Sequence, residues 1–128
     1  MARWPLKRIA PATQPSAAAE GFTGFGRLPT DEHGLCEFDT ILPGPVPAGD
    51  GKHQASHINV CVFARGLLRH LYTRIYFDGD PALAADPLLS LVPADRRGTL
   101  VARQCEGLPV WDFTIRLQGD DETVFFDL

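Results

Sequence analysis

A chain of 128 residues, 45% hydrophobic and 22% charged, suits one globular domain with a single core. Its net charge of −4 removes any electrostatic reason for a nucleic-acid or anionic-membrane partner, and no apolar run is long enough to span a bilayer. Cys36, Cys61 and Cys105 are widely spaced and form no CxxC pair, which excludes a zinc knuckle or redox dithiol and fits a cytoplasmic protein.

Residues 1–20 are rich in Pro and Ala, end in Ser16-Ala17-Ala18-Ala19-Glu20 and lack an amphipathic period. They read as an irregular N-terminal arm, with the globular domain occupying residues 21–128. Gly24-Phe25-Gly26-Arg27 is a glycine-punctuated extended segment, and Thr30-Asp31-Glu32-His33-Gly34 has the composition of a hairpin turn. In residues 35–41, Cys36, Phe38 and Thr40 share one face of a strand, with Glu37 and Asp39 on the other. Pro43, Pro45 and Pro47 then exclude both helix and central strand, and residues 48–56 read as a polar loop.

His57-Ile58-Asn59-Val60-Cys61-Val62-Phe63-Ala64 is apolar at most positions and rich in β-branched residues, which predicts a strand buried on both faces. Cys61 is expected there as a small core residue. The next strand spans residues 70–77, with Leu71, Ile75 and Phe77 on one face, and Asp78-Gly79-Asp80-Pro81 ends it. Pro87 and Pro93 limit residues 81–92 to one or two helical turns. A weak strand at 99–105 precedes the cleanest alternation in the chain, where Trp111, Phe113, Ile115 and Leu117 oppose Asp112, Thr114 and Arg116. Gly119-Asp120-Asp121 turns the chain into a last predicted strand over residues 122–126. Short strands separated by turns predict an all-β sandwich.

Few residues carry chemistry. Alternate residues of a strand project to one face roughly 6.6 Å apart, so a His-x-His pair can aim two imidazoles at one metal ion. Here that triplet is His57-Ile58-Asn59, and a neutral Asn amide is a poor transition-metal ligand. Tyr72 and Tyr76 are four apart, about 13 Å along a strand, too far to share an ion. His33 and His53 have no ligand-spaced neighbour, and His70 faces the same side as Tyr72. No G-x-S-x-G motif is present, and no Cys has a basic local setting that would lower its pKa. Asp120-Asp121-Glu122 reads as a solvated turn rather than a hard-cation site. Arg65, just past the most apolar run, is either a strand-end residue reaching for water or a carboxylate contact at a pocket rim.

Phe22-Thr23-Gly24-Phe25-Gly26-Arg27, Thr30-Asp31 with Gly34, Thr40-Ile41-Leu42-Pro43-Gly44 and His57 through Gly66 occur in the order of the intradiol ring-cleavage dioxygenases. Leu71-Tyr72-Thr73-Arg74-Ile75-Tyr76-Phe77 and Gly119 through Asp127 continue the resemblance. The chain is most similar to the non-catalytic alpha type of that family. The resemblance implies an intradiol-type β-sandwich, here lacking the family's N-terminal portion with its Thr-x-Gly-Pro-Tyr segment. It also implies a homologous beta subunit that binds non-haem Fe(III) in a hetero-oligomer. The implied activity is cleavage of protocatechuate with O2 to 3-carboxy-cis,cis-muconate, in aromatic catabolism by the beta-ketoadipate route.

On the same resemblance, this chain carries no catalytic residue, metal ligand or cofactor of its own. Val46 stands where catalytic chains carry a ligand Tyr, Asn59 at the second His, and Gln54 where they carry an Arg; His57 is retained without partners. Arg65 matches the arginine of the Phe-Ala-Arg-Gly motif and is expected to bind substrate at the interface between subunits. A different reading is a truncated remnant or stand-alone β-sandwich binding domain without enzymatic role.

Overall fold

The computed structural model describes residues 2–11, as a backbone path, and residues 24–127. The strands are β1 (Ala2–Pro11), β2 (Phe38–Leu42), β3 (Val46–Gly49), β4 (Lys52–Gln54), β5 (His57–Val62), β6 (Leu71–Phe77), β7 (Val101–Gln104) and β8 (Val110–Ile115). Three short 3-10 helices, Pro81–Ala85, Leu89–Leu91 and Ala94–Leu100, lie between β6 and β7. A six-stranded mixed sheet runs in the order β2-β1-β8-β7-β6-β5, and β3 and β4 form a separate hairpin. The architecture is all-β.

Side-chain alternation sets the core. In β8, Trp111, Phe113 and Ile115 are buried while their neighbours are only partly so. They pack with Val60 and Val62 of β5, Ile75 and Phe77 of β6 and Ala102 of β7, and Phe38 and Leu42 of β2 close on the same cluster. One cluster touched by strands from both ends of the sheet requires the sheet to curl around it. At its centre Phe77 and Trp111 meet edge to face, with ring centroids 5.1 Å apart. A second cluster, on the opposite face, joins Tyr76 and Ala55 to Leu89, Val92 and Leu100 of the 3-10 segment.

That segment is short-turned for reasons visible in its residues. The Asp80 carboxylate accepts from the Ala82 backbone N–H (2.9 Å), Pro81 supplies a fixed φ, and Pro87 and Pro93 interrupt any longer helix. The predicted turns at residues 81–92 are therefore found, in 3-10 form.

Four expectations need correction. The irregular arm expected over residues 1–20 contains a strand: Ala2–Lys7 pair antiparallel with β8, and Leu6–Pro11 pair parallel with β2. Pro5 tolerates this position because the β2 pairing starts only at Leu6, leaving one side of Pro5 open. The open edge of β8 offers backbone partners that side-chain periodicity does not register. Residues 12–20 of the expected arm, and Phe22-Thr23 of the motif, lie outside the described residues.

The loop expected over residues 48–56 instead contains the β3–β4 hairpin. Gly49, Asp50 and Gly51 take positive φ in succession (84°, 52° and 72°), which reverses the chain tightly. The strand expected to be buried on both faces, β5, is an edge strand. Ile58, Val60 and Val62 face the core, whereas Asn59 and Cys61 are exposed, so Cys61 is not a core thiol. Its apolar composition had masked an ordinary one-sided alternation.

The last predicted strand is reduced to an isolated antiparallel bridge between Phe126 and Tyr72. Thr123 turns the chain there by accepting from the Arg116 N–H at its hydroxyl (2.8 Å) and donating its own N–H to the Arg116 carbonyl (2.9 Å). The segment then crosses to β6, where the Thr73 hydroxyl donates to the Val124 carbonyl at 2.8 Å.

Candidate functional site

The β3–β4 hairpin places Val46 directly across from Gln54. The β5–β6 register places His57 across from Tyr76 and Asn59 across from Arg74. His57, Asn59, Arg74 and Tyr76 share the face opposite the main core, because residues two apart on a strand project together. The two halves are joined where Arg74 Nη1 donates to Gln54 Oε1 at 2.8 Å. Val46, Gln54, His57 and Asn59, scattered over fourteen residues of sequence, thus gather at one end of the sheet.

A hydrogen-bonded chain runs through this end. Arg74 Nη1 also reaches Tyr76 Oη (3.3 Å), and Tyr76 Oη donates to Asp86 Oδ1 (3.0 Å). Asp86 is fully buried and accepts as well from the backbone N–H groups of Ala55 (2.8 Å), Leu88 (3.0 Å) and Leu89 (2.8 Å). Burial pushes the Tyr76 phenol up to about 12. His57 Nδ1 lies 2.7 Å from the Ala55 carbonyl, which fixes the proton on Nδ1 and leaves Nε2 as the ring's acceptor. Burial pushes the His57 pKa below its ordinary value, and the nearby Arg74 charge adds to that effect. Its ring packs against Tyr76 with centroids 5.8 Å apart.

These residues do not fit a ferric ion. Val46 has no donor atom, and Asn59 offers only a neutral amide. Tyr76 is a protonated phenol committed to Asp86, while the Tyr72 hydroxyl pairs with His70 Nε2 at 2.7 Å. Among the described residues, no three His, Cys, Asp or Glu side chains are gathered to hold a metal ion.

Arg65 lies elsewhere. It follows the far end of β5 from His57, roughly 16 Å or more along the strand. The Leu67 N–H donates to the Ala64 carbonyl (3.2 Å), making Arg65 and Gly66 the central residues of a turn in which Gly66 takes φ 87°. Arg65 is exposed. Beside it Phe63, Ala64, Leu67, Leu68, Arg69 and His70 line a shallow depression of about 210 Å³. Phe63 is 64% exposed and Leu68 fully so. The Arg27 guanidinium sits 5.5 Å from the Phe63 ring centre, and His70 packs against both Phe63 and Tyr72. The corner therefore combines exposed apolar surface with the cations Arg27, Arg65 and Arg69.

Sequence reasoning missed Arg69, which lines the depression that Arg65 only flanks, and Arg74, which links the hairpin to the sheet. The alternation of β6 already put Arg74 on the face of Tyr72 and Tyr76. Only the unanticipated hairpin, however, brings Gln54 to it.

The family described as "Dioxygenase" matches residues 11–119, beginning inside the segment that had read as an arm. The chain is 48% identical over 124 residues to the protocatechuate 3,4-dioxygenase alpha chain of Burkholderia cepacia, covering 92% of this chain and 61% of that one. It is 45% identical over 111 residues to the alpha chain of Pseudomonas putida, covering 83% and 55%. Against the beta chain of Burkholderia cepacia it is 36% identical over 110 residues, covering 80% and 47%. The chain spans about half to three fifths of the length of these relatives. With its family match over most of the chain, its ordered motifs and its all-β sheet, it belongs to the dioxygenase family, of the intradiol ring-cleavage type.

Proposed function

We propose that this chain is the pocket-building alpha-type subunit of an intradiol dioxygenase that cleaves protocatechuate with O2. In this reading a homologous beta subunit holds the ferric iron, and the pair works in the cytoplasm. The observation that carries it is the pairing of Val46 with Gln54 and of Asn59 with Arg74, which leaves His57 without a second donor at the family's metal position. The likeness to both alpha and beta chains supports a hetero-oligomer of related subunits. Among the described residues, no helix is long and apolar enough to cross a membrane.

The contribution of this chain lies at the other end of β5. Arg65 stands exposed on a turn, flanked by Arg69 and by the bare Phe63 and Leu68 surface. A planar guanidinium can take a carboxylate in a two-point hydrogen bond, and the ring acid of protocatechuate carries one. Apolar surface around it would exclude water when a partner covers the corner, strengthening that charge-assisted contact. Arg65 binds and orients in this scheme; the ring-opening chemistry belongs to the iron of the partner.

The test is co-expression with a beta chain of the family, followed by measurement of iron and of ring cleavage. The expected result is a stable complex whose iron content follows the beta chain alone. Failure of the two chains to co-purify would end the subunit reading. Stoichiometric ferric iron with a tyrosinate absorption band in this chain by itself would contradict it from the other side.

A further inference from the structure

The connection between β5 and β6 is longer than strand pairing requires. Antiparallel neighbours are most often joined by about two to five residues. Here eight residues, 63–70, lie between Val62 and Leu71. The extra length turns Phe63 and Leu68 out to solvent, and the exposed Arg69 lines the same depression. Charge is segregated there as well. No Asp or Glu occurs between Asp50 and Asp78, although the whole chain carries a net charge of −4. Arg65 and Arg69 fall in that stretch, and Arg27 joins them through its seat 5.5 Å from the Phe63 ring centre. Among the described residues, no carboxylate stands within ion-pair distance of these three guanidinium groups.

Exposed aromatic, aliphatic and arginine side chains, with no acid beside them, are the composition of a protein-docking surface rather than of a solvated loop. A second copy of this chain is a poor occupant, because a two-fold pairing would set the same cations against one another. We propose that residues 63–70 form a docking surface for an acidic partner face, and that Arg69 is the residue that demands an Asp or Glu carboxylate there. The proposal rests on the subunit reading, in which the partner is the homologous beta chain, and deepens it by giving the two arginines separate tasks. In that scheme Arg65 takes the substrate carboxylate, while Arg69 meets a carboxylate of the partner beside the Phe63 and Leu68 surface. A contact between exposed charges steers association and fades with salt, as the screening length shrinks from about 8 Å at physiological ionic strength to about 3 Å at 1 M.

The test measures the Kd between the full chain and a beta chain of the family, in low and in high salt. Protocatechuate is left out, so that a role in holding substrate cannot produce the effect. Arg69→Glu, Arg69→Gln, Arg69→Lys and Leu68→Ser are compared with the unaltered chain, each first checked for a native-like melt. Arg69→Glu is expected to weaken the pair by about tenfold or more in low salt and by much less in high salt. Arg69→Gln should weaken it less and flatten the salt dependence, and Arg69→Lys, which keeps the charge, should stay near the unaltered chain. Leu68→Ser should weaken the pair about equally in both, since the burial of an apolar side chain is not screened. Tight binding by Arg69→Glu overturns the proposal, as does a loss that salt leaves unchanged. An unaltered Kd in Leu68→Ser would move the contact off this surface and overturn it too. Self-association of this chain that Arg69→Glu abolishes would make a second copy the occupant, against the proposal. If the unaltered chain binds no beta chain at all, the subunit reading itself fails and the proposal falls with it.

Discussion

Tyr76 Oη donates a hydrogen bond to Asp86 Oδ1 at 3.0 Å, and both side chains are fully buried. Through this one contact β6 is tied to the 3-10 segment, and through the Ala55 N–H on Oδ2 the start of β5 is tied to both. Four donors converge on a single carboxylate. Asp86→Ala leaves them buried and unpaired, and each such group costs on the order of 1–3 kcal/mol. The variant is expected to lose at least about 3 kcal/mol in urea unfolding. Asp86→Asn, which keeps the three contacts made to Oδ1 and loses only the one to Oδ2, is expected to lose less. Equal loss in the two variants would show that the cavity, not the hydrogen bonding, dominates.

The same phenol makes stability fall in alkali. Tyr76 has its pKa raised in the folded protein to about 12 from 10.0, so the folded state keeps a proton that the unfolded state releases. Its contribution is fully present below pH 10 and is lost as pH rises from there toward about 12. Unfolding free energy measured across that window should drop by roughly 2–3 kcal/mol. Tyr76→Phe should flatten this slope while lowering stability at neutral pH.

His57 acts at the opposite end of the scale. Its folded pKa lies below 6.5, so the unfolded state takes up a proton first as the solution is acidified. The stability tied to the neutral ring is present above pH 6.5 and declines as pH falls below it, through the folded pKa. His57→Gln should remove that part of the acid slope. An NMR titration should show the ring titrating below a histidine in an unfolded peptide of the same sequence.

On the proposed subunit reading, Arg65 binds the substrate carboxylate, and that role can be tested by substitution. In the assembled enzyme, Arg65→Ala should raise the KM for protocatechuate by about tenfold or more, the worth of one charge-assisted contact, with iron content unchanged. Arg65→Lys should recover only part of this, because an ammonium cannot make the two-point contact. Unchanged kinetics in both variants would remove Arg65 from the site.

Core packing predicts a separate loss. Phe77 is 2% exposed and meets Trp111 edge to face, so Phe77→Ala is expected to cost about 3–5 kcal/mol and Phe77→Leu much less. Thermal unfolding of the two variants checks the ranking.

Much of the fold was legible because alternation is a direct imprint of a half-buried strand. Trp111, Phe113 and Ile115 announced β8, and Leu71, Ile75 and Phe77 announced the inner face of β6. Three elements hid for physical reasons. β1 has no alternation and takes its place through backbone pairing with β8, which leaves no trace in side-chain order. The β3–β4 hairpin depends on three consecutive positive-φ residues, and Gly49-Asp50-Gly51 reads equally well as loop. The edge position of β5 depends on which strands sit beside it, a property of the sheet rather than of the segment. At the candidate site, the donor-poor side chains of Val46 and Asn59 were visible residue by residue. The guanidinium of Arg74 was not, since its meaning comes from Gln54 and Asn59, which are distant in sequence and adjacent only in space.

The parallel pairing of β6 with β7 has a consequence for biosynthesis. The β5–β6 hairpin is complete once Phe77 has been made, but the partner for the other edge of β6 arrives only with Val101 and Ala102, and Phe126 later still. At ribosomal speeds that leaves the edge uncovered for roughly one to five seconds, with the apolar side of Ile75 and Phe77 still unshielded by β8. Nascent-chain crowding and chaperone supply during this interval, rather than the final free energy of the sheet, would then govern how much of the protein reaches its native form.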